Sequence, residues 1–284
     1  MFDYKQLSPL ENPDQIFSLE GRTALLFGGA GKMGEQFAQT LGLAGANIVI
    51  TDIDENLCNR VVEKLDSKFR IPILGVKCDA TKEDEIGSTI SSTVSRFGAL
   101  DILIYNVMAK PVGYYAPFEQ YTEQTWNDVV AGNLTGAFLS CREALAPLKL
   151  SQNASIILTS STYGIVGPDH SIYRGLTNKS NLYDQEFPLN TPLSYSASKA
   201  GLIGVVRHMA TLFGKHGIRV NALTPGGVYD KHEVIFEERY SRRTALRRMA
   251  TWSDYNGAIL FLASDASRYM TGANLVIDGG WTAQ

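Results

Sequence analysis

The sequence is poor in the residues that staple small folds or hold metals. Cys58, Cys78 and Cys141 are odd in number and widely spaced, with no Cys-x-x-Cys pair, so neither a disulfide framework nor a zinc site is suggested. A reducing cytoplasm suits them. The four histidines, His170, His208, His216 and His232, show no ligand spacing, and no metal is expected. No apolar run approaches the ~18 residues of a membrane-spanning helix, and no basic region followed by an apolar stretch opens the chain. Neither membrane association nor export is expected. A formal charge of −3 gives no electrostatic reason to bind nucleic acid, and Arg242, Arg243, Arg247 and Arg248 form only a local basic cluster. Repeats, low-complexity tracts and linkers are also missing. The 284 residues therefore read as an N-terminal arm, 1–18, and one domain, 19–284.

What is present is an alternation. Hydrophobic content of 44% against 19% charged residues is enough for a full core. Thr23 to Phe27 is a short apolar run ending in Gly28-Gly29-Ala30-Gly31-Lys32-Met33-Gly34, after which Met33, Phe37, Leu41 and Ala44 fall at helical spacing. In a strand, turn and helix, such glycines let the backbone approach a pyrophosphate at the positive end of the helix. A second strand, Asn47 to Thr51, ends in Asp52, about 20 residues on, where a carboxylate can accept hydrogen bonds from the adenosine ribose. Asp52 favours NAD over NADP, because a 2′-phosphate would meet a carboxylate. Lys32 dissents, since a cation in the turn could attract that phosphate.

Further strands at Ile73 to Val76, Leu100 to Tyr105, Ser155 to Thr159, Arg219 to Leu223 and Asn274 to Ile277 alternate with amphipathic helices. This predicts an α/β fold: a doubly wound, seven-stranded, mostly parallel Rossmann-like sheet with helices on both faces. Ligands of such sheets lie at the carboxyl ends of the strands, which makes Asp79, Ala80, Asn106 and Val107 cofactor candidates, although each could merely cap a helix or close a turn. Trp126 to Leu145 reads as one long helix with Asn133 near its middle, where an asparagine commonly marks a bend or a solvent-facing amide.

Tyr195-Ser196-Ala197-Ser198-Lys199 places a phenol and an ammonium on one helix face. Bringing a tyrosine from a pKa of ~10 to ~7 requires about 4 kcal/mol. One lysine charge about 4 Å away, at an effective dielectric of about 20, supplies roughly that much. With 13 tyrosines in the chain the spacing alone is weak evidence, and a solvated helix face would look the same.

The order of features resembles the short-chain dehydrogenase/reductase family from about Leu19 to Trp281: glycine turn, acid after the second strand, Asp79, Asn106, Asn133, Ser160-Ser161, Tyr-x-x-x-Lys, Pro225-Gly226 and a terminal Asp278-Gly279-Gly280. The resemblance implies a catalytic tetrad of Asn133, Ser161, Tyr195 and Lys199. Tyr195 would exchange a proton with the substrate oxygen and Ser161 would hold that oxygen. Lys199 would depress the Tyr195 pKa and bind the nicotinamide ribose, and Asn133 would hold a relay water. It also implies a nicotinamide cofactor, read as NAD rather than NADP, bound by Gly28, Gly31, Lys32, Met33, Gly34, Asp52, Ile53, Asp79, Ala80, Asn106, Val107, Tyr195, Lys199, Pro225, Gly226, Gly227 and Val228. A small-molecule substrate and a homo-oligomer, dimer or tetramer, built on the two long helices are implied as well.

Three departures qualify the resemblance. Lys32 stands in the place of the family's middle glycine, and the spacing Gly28, Gly31, Gly34 is similar to that of the extended, sugar-nucleotide branch. Tyr105-Asn106-Val107-Met108 replaces Asn-Asn-Ala-Gly. Ser161 and Tyr195 lie 34 residues apart, where about 13 is common, which leaves an insertion at about 167–192. Such a loop is more often functional than neutral, and Tyr163, Tyr173 and Arg174 join Ser161 and Tyr195 as substrate candidates. Its polar, aromatic and charged side chains suggest a sugar-like or polyol substrate, similar to that of members that modify bacterial surface sugars, although a solvated loop would have the same composition. A non-catalytic dinucleotide sensor, or an epimerase or dehydratase using NAD transiently, are the alternatives.

Overall fold

The computed structural model describes residues 12–177, 181, 183–184 and 186–284. The first 11 residues of the expected arm, and Lys179 of the insertion, lie outside the described residues. Seven strands run in chain order: β1 (Thr23–Phe27), β2 (Asn47–Asp52), β3 (Ile73–Lys77), β4 (Ile102–Tyr105), β5 (Ser155–Thr159), β6 (Arg219–Pro225) and β7 (Asn274–Ile277). They form one sheet in the order β3-β2-β1-β4-β5-β6-β7, and every pairing is parallel. The expectation of a mostly parallel sheet is thus sharpened to a wholly parallel one, because every connection is a crossover.

Strand alternation sorts the core into two layers. Leu25, Phe27, Leu103 and Tyr105 face one side, against α3 (Glu83–Phe97), α5 (Gly136–Leu148) and α6 (Leu193–Phe213). Ala24, Leu26, Ile102 and Ile104 face the other, against α1 (Lys32–Leu43), α2 (Glu55–Phe69) and α8 (Asn256–Ala263). The inner strands β1, β4 and β5 are buried along their whole length, so they read in sequence as largely apolar runs. Among the described residues no helix is long and apolar enough to cross a membrane.

Two elements differ from the sequence reading. The long helix expected through Asn133 is α4 (Glu123–Val130), a π turn at Ala131–Thr135, and then α5. The π turn lets the buried Asn133 side chain make two bonds: Oδ1 accepts from the Ala109 amide at 2.8 Å, and Nδ2 donates to Ser198 Oγ at 3.1 Å. The described part of the insertion is not wholly solvated, although residues such as Arg174 and Gly175 are exposed. Ile172 and Leu176 are buried with Phe236 and Tyr240 of α7 (Val234–Arg243), Met249 and Trp281, in a small apolar cluster of their own.

Candidate functional site

Between β1 and β4 the strand order reverses, and the loops after those strands diverge to leave a crevice at their carboxyl ends. The turn after β1 lies in it. At Gly28, φ is +70° and a Cβ would stand 2.9 Å from the Asn106 carbonyl oxygen; at Gly34 a Cβ would stand 2.3 Å from the Gly28 oxygen. Both positions require glycine. Gly31 does not, for its Cβ would meet nothing nearer than 3.7 Å, whereas Gly29, absent from the sequence-derived set, would press on Ile50 at 2.8 Å. No side chain caps the start of α1, so its first amides are left to whatever occupies the crevice. A bare backbone cradle at a helix N-terminus fits a dinucleotide pyrophosphate.

Around the turn, Asn106 donates from Nδ2 to the Gly28 oxygen at 3.4 Å. Asp52 ends β2, and burial pushes its carboxyl above the usual range despite hydrogen bonds from the Asp54 and Ile53 amides. Ile53 projects an exposed apolar side chain beside it. Asp79 closes its own turn by accepting from the Thr81 amide at 2.9 Å and the Thr81 hydroxyl at 2.7 Å; Ala80 is buried behind it. Lys32 is held elsewhere: its Nζ lies 2.5 Å from Asp230 Oδ1 in the loop after β6.

The tetrad candidates are brought together. Tyr195 and Lys199 sit in the first two turns of α6, and Ser161 follows β5. Burial raises the Tyr195 phenol above its ordinary value, and the Ser161 hydroxyl, hydrogen-bonded to it, pulls the other way. Lys199 is buried; its Nζ donates to the Thr159 oxygen at 2.8 Å and the Val107 oxygen at 3.3 Å, and lies 6.0 Å from the Tyr195 ring centre. Burial lowers its pKa to about 8. The expected depression of Tyr195 by Lys199 is not found: the opposing influence comes from the Ser161 hydroxyl, and burial prevails over it. Asn133 joins the assembly through Ser198, whose hydroxyl donates to the Tyr195 carbonyl at 3.0 Å.

Tyr195 and Ser161 open onto a cavity of about 310 Å³, together with Met33, Tyr163, Tyr173 and the Pro225 to Val228 segment. A larger hollow of about 1110 Å³, between the N-terminal turns of α4 and α6, is lined by neither Ser161 nor Tyr195. Arg174 is not brought in: it is exposed, outside the cavity lining, and its carbonyl accepts from Arg239. Sequence reasoning missed Lys110, Tyr114, Tyr115, Asp230 and His232, all of which line the cavity. Only their positions after β4 and β6 could have pointed to them.

Residues 22–173 match the short chain dehydrogenase family model, and residues 177–282 match the enoyl-(acyl carrier protein) reductase model. The chain belongs to the short-chain dehydrogenase/reductase family. Within that family it is 33% identical to trans-4-hydroxycyclohexanecarboxylate dehydrogenase of Sinomonas cyclohexanicum, over 92% of this chain and 93% of the relative. It is 30% identical to (+)-borneol dehydrogenase 1 of Salvia officinalis, over 93% and 95%. The solved structure of gox2181 superposes with a TM-score of 0.83 at 25% identity, covering 95% of this chain and 99% of that one. A short-chain dehydrogenase/reductase binds a nicotinamide cofactor and interconverts CH–OH and carbonyl groups, and this chain is such an oxidoreductase.

Proposed function

We propose that the protein is an NAD-preferring dehydrogenase/reductase in which Tyr195 is the acid/base for a secondary alcohol or ketone on a polar, sugar-like or polyol ring. The observation that carries the reading is the convergence of Tyr195 and Ser161 on one cavity, with Lys199 buried one helical turn beyond Tyr195. A bound nicotinamide supplies the hydride chemistry. Gly28, Gly31, Lys32, Met33 and Gly34 would face its pyrophosphate. Asp52 and Ile53 would meet the adenosine, and Asp79, Ala80, Asn106 and Val107 the neighbouring strand ends. Lys199, Tyr195 and Pro225 to Val228 would lie against the nicotinamide half.

In this reading Ser161 holds the substrate oxygen while Tyr195 gives or takes its proton. Lys199 replenishes that proton, with Asn133 fixing the α6 backbone beneath. Engagement of Lys32 by Asp230 supports NAD, because it turns the one dissenting cation away from Asp52. The tyrosines that line the cavity offer ring faces and hydroxyls to a hydroxylated ring, and both relatives named above are named for alcohols borne on a six-membered carbocycle. Tyr163 and Tyr173 are the insertion-side candidates for binding it. Residues 19–284 act as one catalytic domain, and the buried free thiols fit a reducing cytoplasm.

Tyr195→Phe is expected to abolish turnover while NADH affinity stays within a few-fold; a variant that keeps most of its activity would remove Tyr195 from the chemistry. Comparing kcat/KM for NAD and NADP across a panel of ring alcohols tests the cofactor, and a preference for NADP would overturn the reading of Lys32 and Asp52. An intact tetrad also favours an enzyme over a dinucleotide sensor, which would bind NADH without turning over any member of the panel.

A further inference from the structure

Lys110 is the charged side chain of the cavity whose charge the described residues leave unpaired. It stands four residues beyond the Asn106 that follows β4, and the adjoining Ala109 amide is fixed by Asn133 Oδ1 at 2.8 Å. The loop that carries Lys110 is therefore pinned to a residue of the tetrad. The ammonium rests 3.3 Å from the centre of the Tyr183 ring, supplied by the insertion. Among the described residues no carboxylate forms an ion pair with it.

The one acid lining the cavity is already engaged. Asp230 meets Lys32 Nζ at 2.5 Å through Oδ1 and accepts from the Tyr183 hydroxyl at 2.6 Å through Oδ2. Burial pushes its carboxyl up, but the Lys32 and Tyr183 hydrogen bonds prevail and hold it below the ordinary value. Three segments meet at this corner: the loop after β4, the insertion and the loop after β6. Their contacts orient Lys110 without neutralising it.

We propose that Lys110 is the anchor for a carboxylate on the substrate, which makes the substrate a ring-borne hydroxy acid or the corresponding oxo acid. The assignment rests on the reading of this cavity as the substrate site. The carbinol meets Ser161 and Tyr195, and the carboxylate meets Lys110, on the same cavity lining. A single ammonium, with one face covered by a ring, has N–H donors left for one carboxylate, and a single cation matches a monoanion better than a phosphate dianion. Crowding by the cavity walls lowers the Lys110 pKa to about 8, with Asp230 opposing the fall and Lys32 adding to it. The residue is exposed and lines the cavity. A bound carboxylate would relieve the cost of holding that charge there.

The test uses full-length protein with NAD and a matched pair of probes, trans-4-hydroxycyclohexanecarboxylate and its primary carboxamide. The wild type is expected to favour the acid in kcat/KM by about tenfold or more, mostly through KM. Lys110→Met should bring the acid-to-amide ratio close to one, and Lys110→Arg should keep the preference. A ratio unchanged in Lys110→Met, or equal use of acid and amide by the wild type, would overturn the assignment.

A binding arm keeps the result decisive if neither probe is turned over. Cyclohexanecarboxylate and cyclohexanecarboxamide are titrated into the NADH complex, followed by tryptophan fluorescence, with Trp252 in the cavity wall. Tighter carboxylate binding that Lys110→Met abolishes upholds the anchor, and equal binding sinks it. Failure of every secondary alcohol to react would instead strike the dehydrogenase role of Tyr195.

Discussion

Gly34 has no room for a methyl group: the added carbon would stand 2.3 Å from one backbone oxygen and 2.7 Å from the Gly29 Cα, neither of which can rotate away. Gly34→Ala should therefore cost about 1–3 kcal/mol in urea unfolding and weaken NADH binding, whereas Gly31→Ala, with 3.7 Å of clearance, should leave stability nearly unchanged. Lys199 gives a pH signature at the same scale. Its pKa falls from 10.5 to about 8 on folding, so below pH 8 both states are protonated and the cost of the buried charge, about 3 kcal/mol, is fully present. Between about pH 8 and 10 the folded lysine sheds its proton while the unfolded one keeps it, and stability rises. Denaturation midpoints measured across that window should climb in the wild type relative to Lys199→Met. The residue types of the tetrad were legible in the chain because spacing places Tyr195 and Lys199 on one face. The sign of the Tyr195 shift was not, since it depends on desolvation by residues that arrive from other elements.

At the scale of elements, the strands Thr23–Phe27, Ser155–Thr159 and Asn274–Ile277 start and end where their apolar runs predict. Asn133 was the harder case. Its helical neighbours look continuous, and only the tertiary partners Ala109 and Ser198 account for the π turn that carries it. The insertion shows the same limit, because polar composition hid Ile172 and Leu176, whose apolar partners lie some 60 to 110 residues further along the chain. Ile172→Ala should lose about 2–4 kcal/mol locally. Because the cluster joins the insertion to α7 and stands apart from the two main layers, the loss is expected as faster hydrogen exchange at 170–176 and 234–243 and a raised KM. The global unfolding midpoint should move little. A matching drop in global stability would show that the insertion folds as part of the main core.

Across the whole molecule, a homo-oligomer built on α5 and α6 is the proposal that the exposed apolar side chains support: Phe138 on α5, and Leu193 and Leu212 on α6, are 49%, 54% and 46% exposed. Phe138→Asp is expected to shift the protein toward smaller species in light scattering without lowering the folded fraction; an unchanged mass would move the interface elsewhere. The doubly wound sheet with helices on both faces and the glycine turn follow from the sequence itself, because alternating apolar strands and amphipathic helices admit few right-handed crossover arrangements; the strand order and its reversal between β1 and β4 come from the structure. Lys32 marks the boundary of that reasoning. In the chain it is a cation inside a phosphate-binding turn, and local chemistry sends it toward a cofactor phosphate. In the fold it meets Asp230, 198 positions away, and Asp230 in turn holds Tyr183 against Lys110. Local sequence determined the frame, since periodicity and glycine geometry act between near neighbours. The charge left open in the cavity was decided only by tertiary structure, because pairing one ion with another depends on which distant loops the sheet brings to the same end.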